Sequence, residues 1–189
     1  MVDPFNITKY DLKDEELEEY LIFWVFAAGK TAATAAKSLE KFLSFWREKS
    51  GKYNPFAVIK FIGKKLPNEL KRFGIGCYNN KAITLSQLAN SNLDLKKCTL
   101  VDLEKIKGIG KKTSRCFVIH SRKNQRCAGI DTHVLKYLKS LGYDVPKSTP
   151  SGKQYERLEA VFLELADKSG LTLSEFDLKI WTQYAKGKK

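Results

Sequence analysis

Apolar residues recur three and four positions apart along most of the chain, and no stretch alternates apolar with polar as a half-buried strand would. The pattern predicts an all-α protein of about ten helices, with starts and stops marked by capping and breaking residues. A first helix over 14–28 opens with acidic residues suited to the positive end of a helix dipole, and Gly29 stops it. A second, over 31–51, carries Leu39, Phe42, Leu43 and Trp46 on one stripe and ends at Gly51. A third has Asn54 as cap, Pro55 at the first helical position and Gly63 as stop. Shorter helices are expected over 67–73 and 78–90. Thr99 and Asp102 make a capping-box pattern ahead of a helix ending at Gly108. Helices over 111–121, 131–141, 153–168 and 174–186 complete the set, with a loop over 142–152.

Composition narrows the class. The chain has 189 residues, 43% hydrophobic and 12% aromatic, enough for a packed core and too apolar for disorder. Its longest apolar run, Tyr20 to Gly29, falls well short of the ~20 residues a bilayer demands, and reads as a buried helix. The first residues lack the basic start and apolar stretch of a secretory signal, so an intracellular protein without a membrane partner is expected. Lysine and arginine number 34 against 21 acidic residues, a net charge of +13. That excess points to a polyanion, most simply nucleic acid; a lysine-rich soluble surface is the plain alternative. The charge is uneven, acidic over 11–19 and basic over 105–123 and 179–189, which favours one binding face. Cys77, Cys98, Cys116 and Cys127 form no paired spacing, and the two histidines match no zinc pattern. Free thiols in a reducing compartment are expected, with no metal.

The chemistry gathers in two short stretches. In GIGKKTS, Gly108 to Ser114, a turn at Gly108, Ile109 and Gly110 joins two helices. Glycines there let the chain turn tightly and let a phosphate approach. The amides opening the next helix, its dipole, and Lys105, Lys111 and Arg115 would then grip a DNA backbone without reading sequence. An ordinary packing corner is the other reading. In the second stretch, GIDTHVLKYL from Gly129, Asp131 stands at a helix mouth.

Together, the residues LEKIKGIGKKTSRCFVIHSRKNQRCAGIDTHVLKYL resemble the helix-hairpin-helix and Gly/Pro…Asp signature of base-excision DNA glycosylases, endonuclease III-like and 8-oxoguanine glycosylase-like alike. In bifunctional members the hairpin reads G-[VI]-G-x-K-[TV], and its lysine is the nucleophile. That position is Lys112 here, and the essential aspartate falls on Asp131, nineteen residues on. The resemblance implies an all-α, two-lobed fold with a DNA cleft between the lobes. One lobe would comprise 1–28 plus 142–189, the other 29–141 with the helix-hairpin-helix at 99–121. It also implies a glycosylase and AP lyase of DNA repair that flips out an oxidised base, excises it through a Schiff base on Lys112, and cleaves by β-elimination. Burial and the neighbouring Lys111 would lower the Lys112 pKa, and Asp131 would stabilise the cationic sugar.

Further residues carry over from the same resemblance. GIGCYNNKA, from Gly74, is similar to the helix start that wedges the duplex, with Cys77, Tyr78 and Asn79 as candidates and Lys30 to fill the vacated space. SEFDLKIWTQYAKGKK at the C-terminus resembles compact archaeal-type 8-oxoguanine glycosylases, which would bring Phe176, Asp177, Trp181 and Lys189 to the base pocket. Packing of the last helix on the core is the competing role for Phe176 and Trp181. The four C-terminal cysteines of endonuclease III relatives are missing, so no iron–sulfur cluster, and no other cofactor, is expected. The expected substrate is 8-oxoguanine in double-stranded DNA, bound by a monomer. The alternatives are an endonuclease III-like enzyme for oxidised pyrimidines or another modified base, and a non-catalytic helix-hairpin-helix DNA-binding module.

Overall fold

The computed structural model describes residues 2–185, which form ten α-helices and no strand. They are α1 (Asp14–Ala27), α2 (Ala32–Ser50), α3 (Pro55–Ile62), α4 (Leu66–Arg72), α5 (Tyr78–Asn90), α6 (Leu100–Glu104), α7 (Lys111–Ser121), α8 (Thr132–Ser140), α9 (Gly152–Ser169) and α10 (Leu173–Ala185). A 3-10 turn, Gly63–Lys65, links α3 to α4. The helix expected to reach Gly108 stops at Glu104, and the chain then turns through the hairpin. No helix among the described residues is long and apolar enough to cross a membrane.

The caps act where the sequence put them. The Asn54 side chain accepts from the Ala57 N–H at 2.8 Å, and Thr99 accepts from Asp102 N–H at 3.2 Å while the Asp102 carboxylate returns to Thr99 N–H at 3.1 Å. Helix α1 is apolar on all sides from Tyr20 to Phe26, and every one of those seven side chains is buried. A helix of that kind belongs inside a bundle, where each large side chain contributes about 1.5–3 kcal/mol through burial. Its C-terminal carbonyls are met by a buried lysine: Lys81 Nζ donates to Phe26 O at 2.9 Å and Ala28 O at 2.8 Å.

Two apolar cores result. The first runs in sequence from Ile7 to Cys127, with α1 at its centre. The second runs from Ala128 to Ile180 and is built by α8, α9 and α10. The expected lobes are 1–28 with 142–189 against 29–141; the two cores meet in sequence between Cys127 and Ala128. From Tyr20 to Phe26 helix α1 is buried among α2, α3, α5 and α7, while the amphipathic α8 turns Val134, Leu135 and Leu138 towards α10. The N-terminal strap, residues 2–12, also crosses to α10, where Tyr10 Oη and Ser174 Oγ are 2.7 Å apart, and α7 meets α10 directly.

Candidate active site

The hairpin is held from behind and open in front. Gly108 has φ +92°, and a Cβ there would lie 2.2 Å from Thr84 Oγ1, so only glycine fits. Thr84 donates to Lys107 O at 2.7 Å, Gln87 accepts from Lys107 N–H at 2.7 Å, and Ile109 is buried as the anchor. Gly110 is different. Its backbone is extended, and a Cβ would meet no atom of the protein within 4 Å. No side chain caps α7 at the exposed Gly110, an arrangement that leaves its first turn able to accept an anion.

Lys112, on the first turn of α7, is half-buried, with Nζ 4.9 Å from the centre of the Trp24 ring. Asp131 caps α8: its Oδ1 accepts from His133 N–H at 2.8 Å and Val134 N–H at 2.9 Å, which leaves Oδ2 for the cleft. The segment leading to it is fixed by α9. Tyr155 Oη donates to Ala128 O at 2.8 Å and accepts from Ile130 N–H at 3.0 Å, and Glu159 accepts from Ala128 N–H at 2.8 Å. Lys112 and Asp131 line one cavity of about 850 Å³ between the cores, within the span usual for small-ligand sites.

Electrostatics correct one expectation. Burial pulls the Lys112 pKa down, but Cys116, Asp131 and Asp177 outweigh it, and the net direction is up. Burial pushes the Cys116 thiol up to about 12. Lys111 does not oppose this; its Nζ turns to Glu156, 2.8 Å away.

The cavity also holds groups that sequence reasoning missed. His120 is buried, stacked on Trp24 with ring centres 5.7 Å apart and planes 14° from parallel. Its Nε2 lies 3.1 Å from Asp177 Oδ2 and its Nδ1 2.8 Å from Thr8 Oγ1. A carboxylate only accepts, so Nε2 donates to Asp177, and Nδ1 shares a hydrogen bond with the Thr8 hydroxyl. Pro4, Phe5 and Ile7 of the strap complete the outer wall. Apolar periodicity could not separate Trp24 from its buried neighbours, and His120 carried no motif.

The other expected site residues divide. Asp177 and Trp181 line the cavity. Phe176 does not: it packs in the second core, 5.0 Å from Phe162 between ring centres. Arg115 is not a phosphate grip, because its guanidinium is buried, with Nη1 2.6 Å from Glu104 and Nε 2.7 Å from Glu159. It bolts α6 and α7 to α9. Lys30 stands on the cavity rim, its Cε 3.0 Å from where a Gly76 Cβ would be. Cys77 is exposed with φ 53°, Asn79 is exposed, and Tyr78 is half-buried under Lys71 Nζ, outside the cavity lining. Lys189 lies outside the described residues. Among the described residues no three His, Cys, Asp or Glu side chains are grouped to hold a metal ion.

No protein-family model matches the chain. Solved structures share its fold. Over 93% of its length the chain is similar to the 8-oxoguanine glycosylase/lyase of Methanocaldococcus jannaschii, crystallised with a 15mer DNA containing 8-oxoguanine, at 24% identity, TM-score 0.70 and 84% of that chain. The 8-oxoguanine DNA glycosylase of Thermotoga maritima matches 92% of this chain and 81% of its own, at 24% identity and TM-score 0.67. The all-helical architecture is the one those glycosylases have.

Proposed function

We propose that the chain is a bifunctional DNA glycosylase and abasic-site lyase acting on duplex DNA that carries 8-oxoguanine. The observation that carries this is the meeting of one lysine and one free carboxylate oxygen, Lys112 and Asp131, in a cavity large enough for a flipped nucleoside. The uncapped first turn of α7 and the net charge of +13 suit a DNA backbone beside it. The similar proteins of known structure are 8-oxoguanine glycosylases, one solved with such a DNA. One chain supplies every group used, so a monomer inside the cell suffices.

The chemistry balances on these residues. Lys112 passes a proton to Asp131, and its amine bonds to C1′ as the bond from C1′ to the base breaks with its electron pair. The departing base takes the proton from Asp131. The Lys112 nitrogen then yields a proton to O4′, the C1′–O4′ bond opens, and a Schiff base forms. Loss of a C2′ proton expels the 3′ phosphate and cuts the strand. The raised Lys112 pKa makes that first proton transfer a requirement for attack.

Borohydride trapping on duplexes carrying 8-oxoguanine, thymine glycol, uracil or an abasic site tests the reading. Adducts are expected with 8-oxoguanine and the abasic site, and Lys112→Gln should abolish both while gel-shift binding persists. An adduct retained by Lys112→Gln would overturn the nucleophile, and no adduct on any duplex would leave a DNA-binding module. Trapping on thymine glycol instead would move the substrate to oxidised pyrimidines.

A further inference from the structure

The N-terminal strap is more than a tether between the cores. It is pinned along its length: Tyr20 Oη donates to Ile7 O, Lys9 N–H to His120 O at 2.9 Å, and Tyr10 meets Ser174. Between these anchors it turns two groups inward. Thr8 reaches His120 Nδ1, and Phe5 sets its ring edge-on to Trp181, with centres 5.6 Å apart and planes at 61°. Phe5 is nonetheless 58% exposed, a large apolar ring left at the mouth of the cavity. An exposed aromatic held in place by a pinned backbone is poised to be covered by whatever enters.

His120 ties this wall to the floor. Its two ring nitrogens are shared between the strap, through Thr8, and Asp177, whose carboxylate faces the cavity beside Lys112. With Trp24 stacked on the ring, the imidazole has one orientation open to it. The strap and the Asp177 carboxylate thus share one imidazole between them.

We propose that the strap forms a working wall of the base pocket, in which Phe5 contacts the extruded base and His120 is a positioning residue that locks the strap to Asp177. The proposal rests on the glycosylase reading above. It adds two residues and a segment that the hairpin and its lysine do not involve.

The test compares a duplex containing 8-oxoguanine with one containing a ready-made abasic site, which offers Lys112 a sugar but no base. Single-turnover base release and borohydride trapping are measured against protein concentration. Phe5→Ala should raise the half-saturating concentration on the lesion duplex about tenfold, as expected from removing one aromatic–base contact, with little change in the maximal rate. Lesion activity relative to abasic trapping should fall by the same factor. Phe5→Leu, which keeps the apolar surface, should restore part of it. His120→Phe keeps the flat ring but not the nitrogens, and should lower the maximal rate of base release more than it lowers abasic trapping. His120→Gln, which can still donate to Asp177, should recover most of that loss. Thr8→Val combined with His120→Phe should be no worse than His120→Phe alone.

Base release by Phe5→Ala equal to that of the parent would overturn the pocket role. Equal losses on the two duplexes for His120→Phe, or no recovery in His120→Gln, would reduce His120 to a core residue. Those failures leave the glycosylase reading intact. A parent protein that neither releases a base nor traps would overturn both.

Discussion

Gly129, two residues before Asp131, tests how tightly the site is built. It is buried and is not among the residues with positive φ, so only space requires glycine there. A Cβ added to it would stand 2.2 Å from Cys116 Sγ, 3.4 Å from Lys112 O and 3.6 Å from Cys116 Cβ. The sulfur is buried and lies on the same helix as Lys112, so relief must come from displacing α7 or the 128–131 segment. Overpacking of that kind costs about 1–3 kcal/mol, which in a chain of this size lowers the melting temperature by about 2–12 °C. Removing the obstacle should give the energy back. Cys116→Ala alone loses a buried group the size of a methylene, about 1 kcal/mol. Combined with Gly129→Ala it leaves only the contacts at 3.4 Å and beyond, so the double variant should be about 1–2 kcal/mol more stable than the sum of the singles. Thermal melts of all four proteins measure the cycle. Abasic trapping should fall about tenfold or more in Gly129→Ala, since small misplacements of reacting groups are costly. An additive cycle, or a Gly129→Ala protein that melts with the parent, would refute the close approach.

Arg115→Met should destabilise by about 3–5 kcal/mol in urea titration, because Glu104 and Glu159 are left without their buried cation; a loss under about 1 kcal/mol would return Arg115 to the surface. Asp177→Asn removes one of the carboxylates that raise the Lys112 pKa, so the pH at which abasic trapping reaches half its maximum should move down, and an unmoved midpoint would sink that account. Bonds from Thr99 and then Lys105 hold the Asp102 carboxyl at about 2, below its ordinary 3.8. Its capping box therefore contributes above pH 3.8 and is lost as pH falls through about 2. A carboxyl NMR titration centred near about 4 would contradict it.

What the sequence made legible was local. Asn54, Thr99 and Asp131 announce helix starts because a cap bonds to amides two or three residues away. The hairpin and its lysine are a contiguous motif, with Asp131 at a fixed distance along the chain. The cavity's other walls depend on distant partners. Arg115 looks like any basic residue near a hairpin until folding brings Glu104 and Glu159 to it from two directions. Lys81 reads as a surface lysine, yet it is buried against the end of α1. Trp24 sits in a run that is apolar on every side, so no periodicity marks which of its residues faces a cleft. Phe176 and Trp181 share one helix and one motif, and only the rotation of α10 sends the first into the core and the second to the cavity.

That division has a physical consequence for the site as a whole. Lys112 and His120 come from α7 in the first core, while Asp131, Asp177 and Trp181 come from the second. No single core can hold the reacting pair in register. The register is set instead by polar bolts across the seam: Arg115 to Glu159, the Thr8–His120–Asp177 chain, and Tyr10 to Ser174. The neutral Tyr10–Ser174 bond contributes only about 1 kcal/mol and the charged Arg115–Glu159 pair more, yet the geometry of all of them is strict. A cleft held this way can lose its alignment while both cores stay folded. Substitutions at the seam should therefore depress trapping further than their effect on melting temperature would suggest, whereas substitutions inside either core should do the reverse.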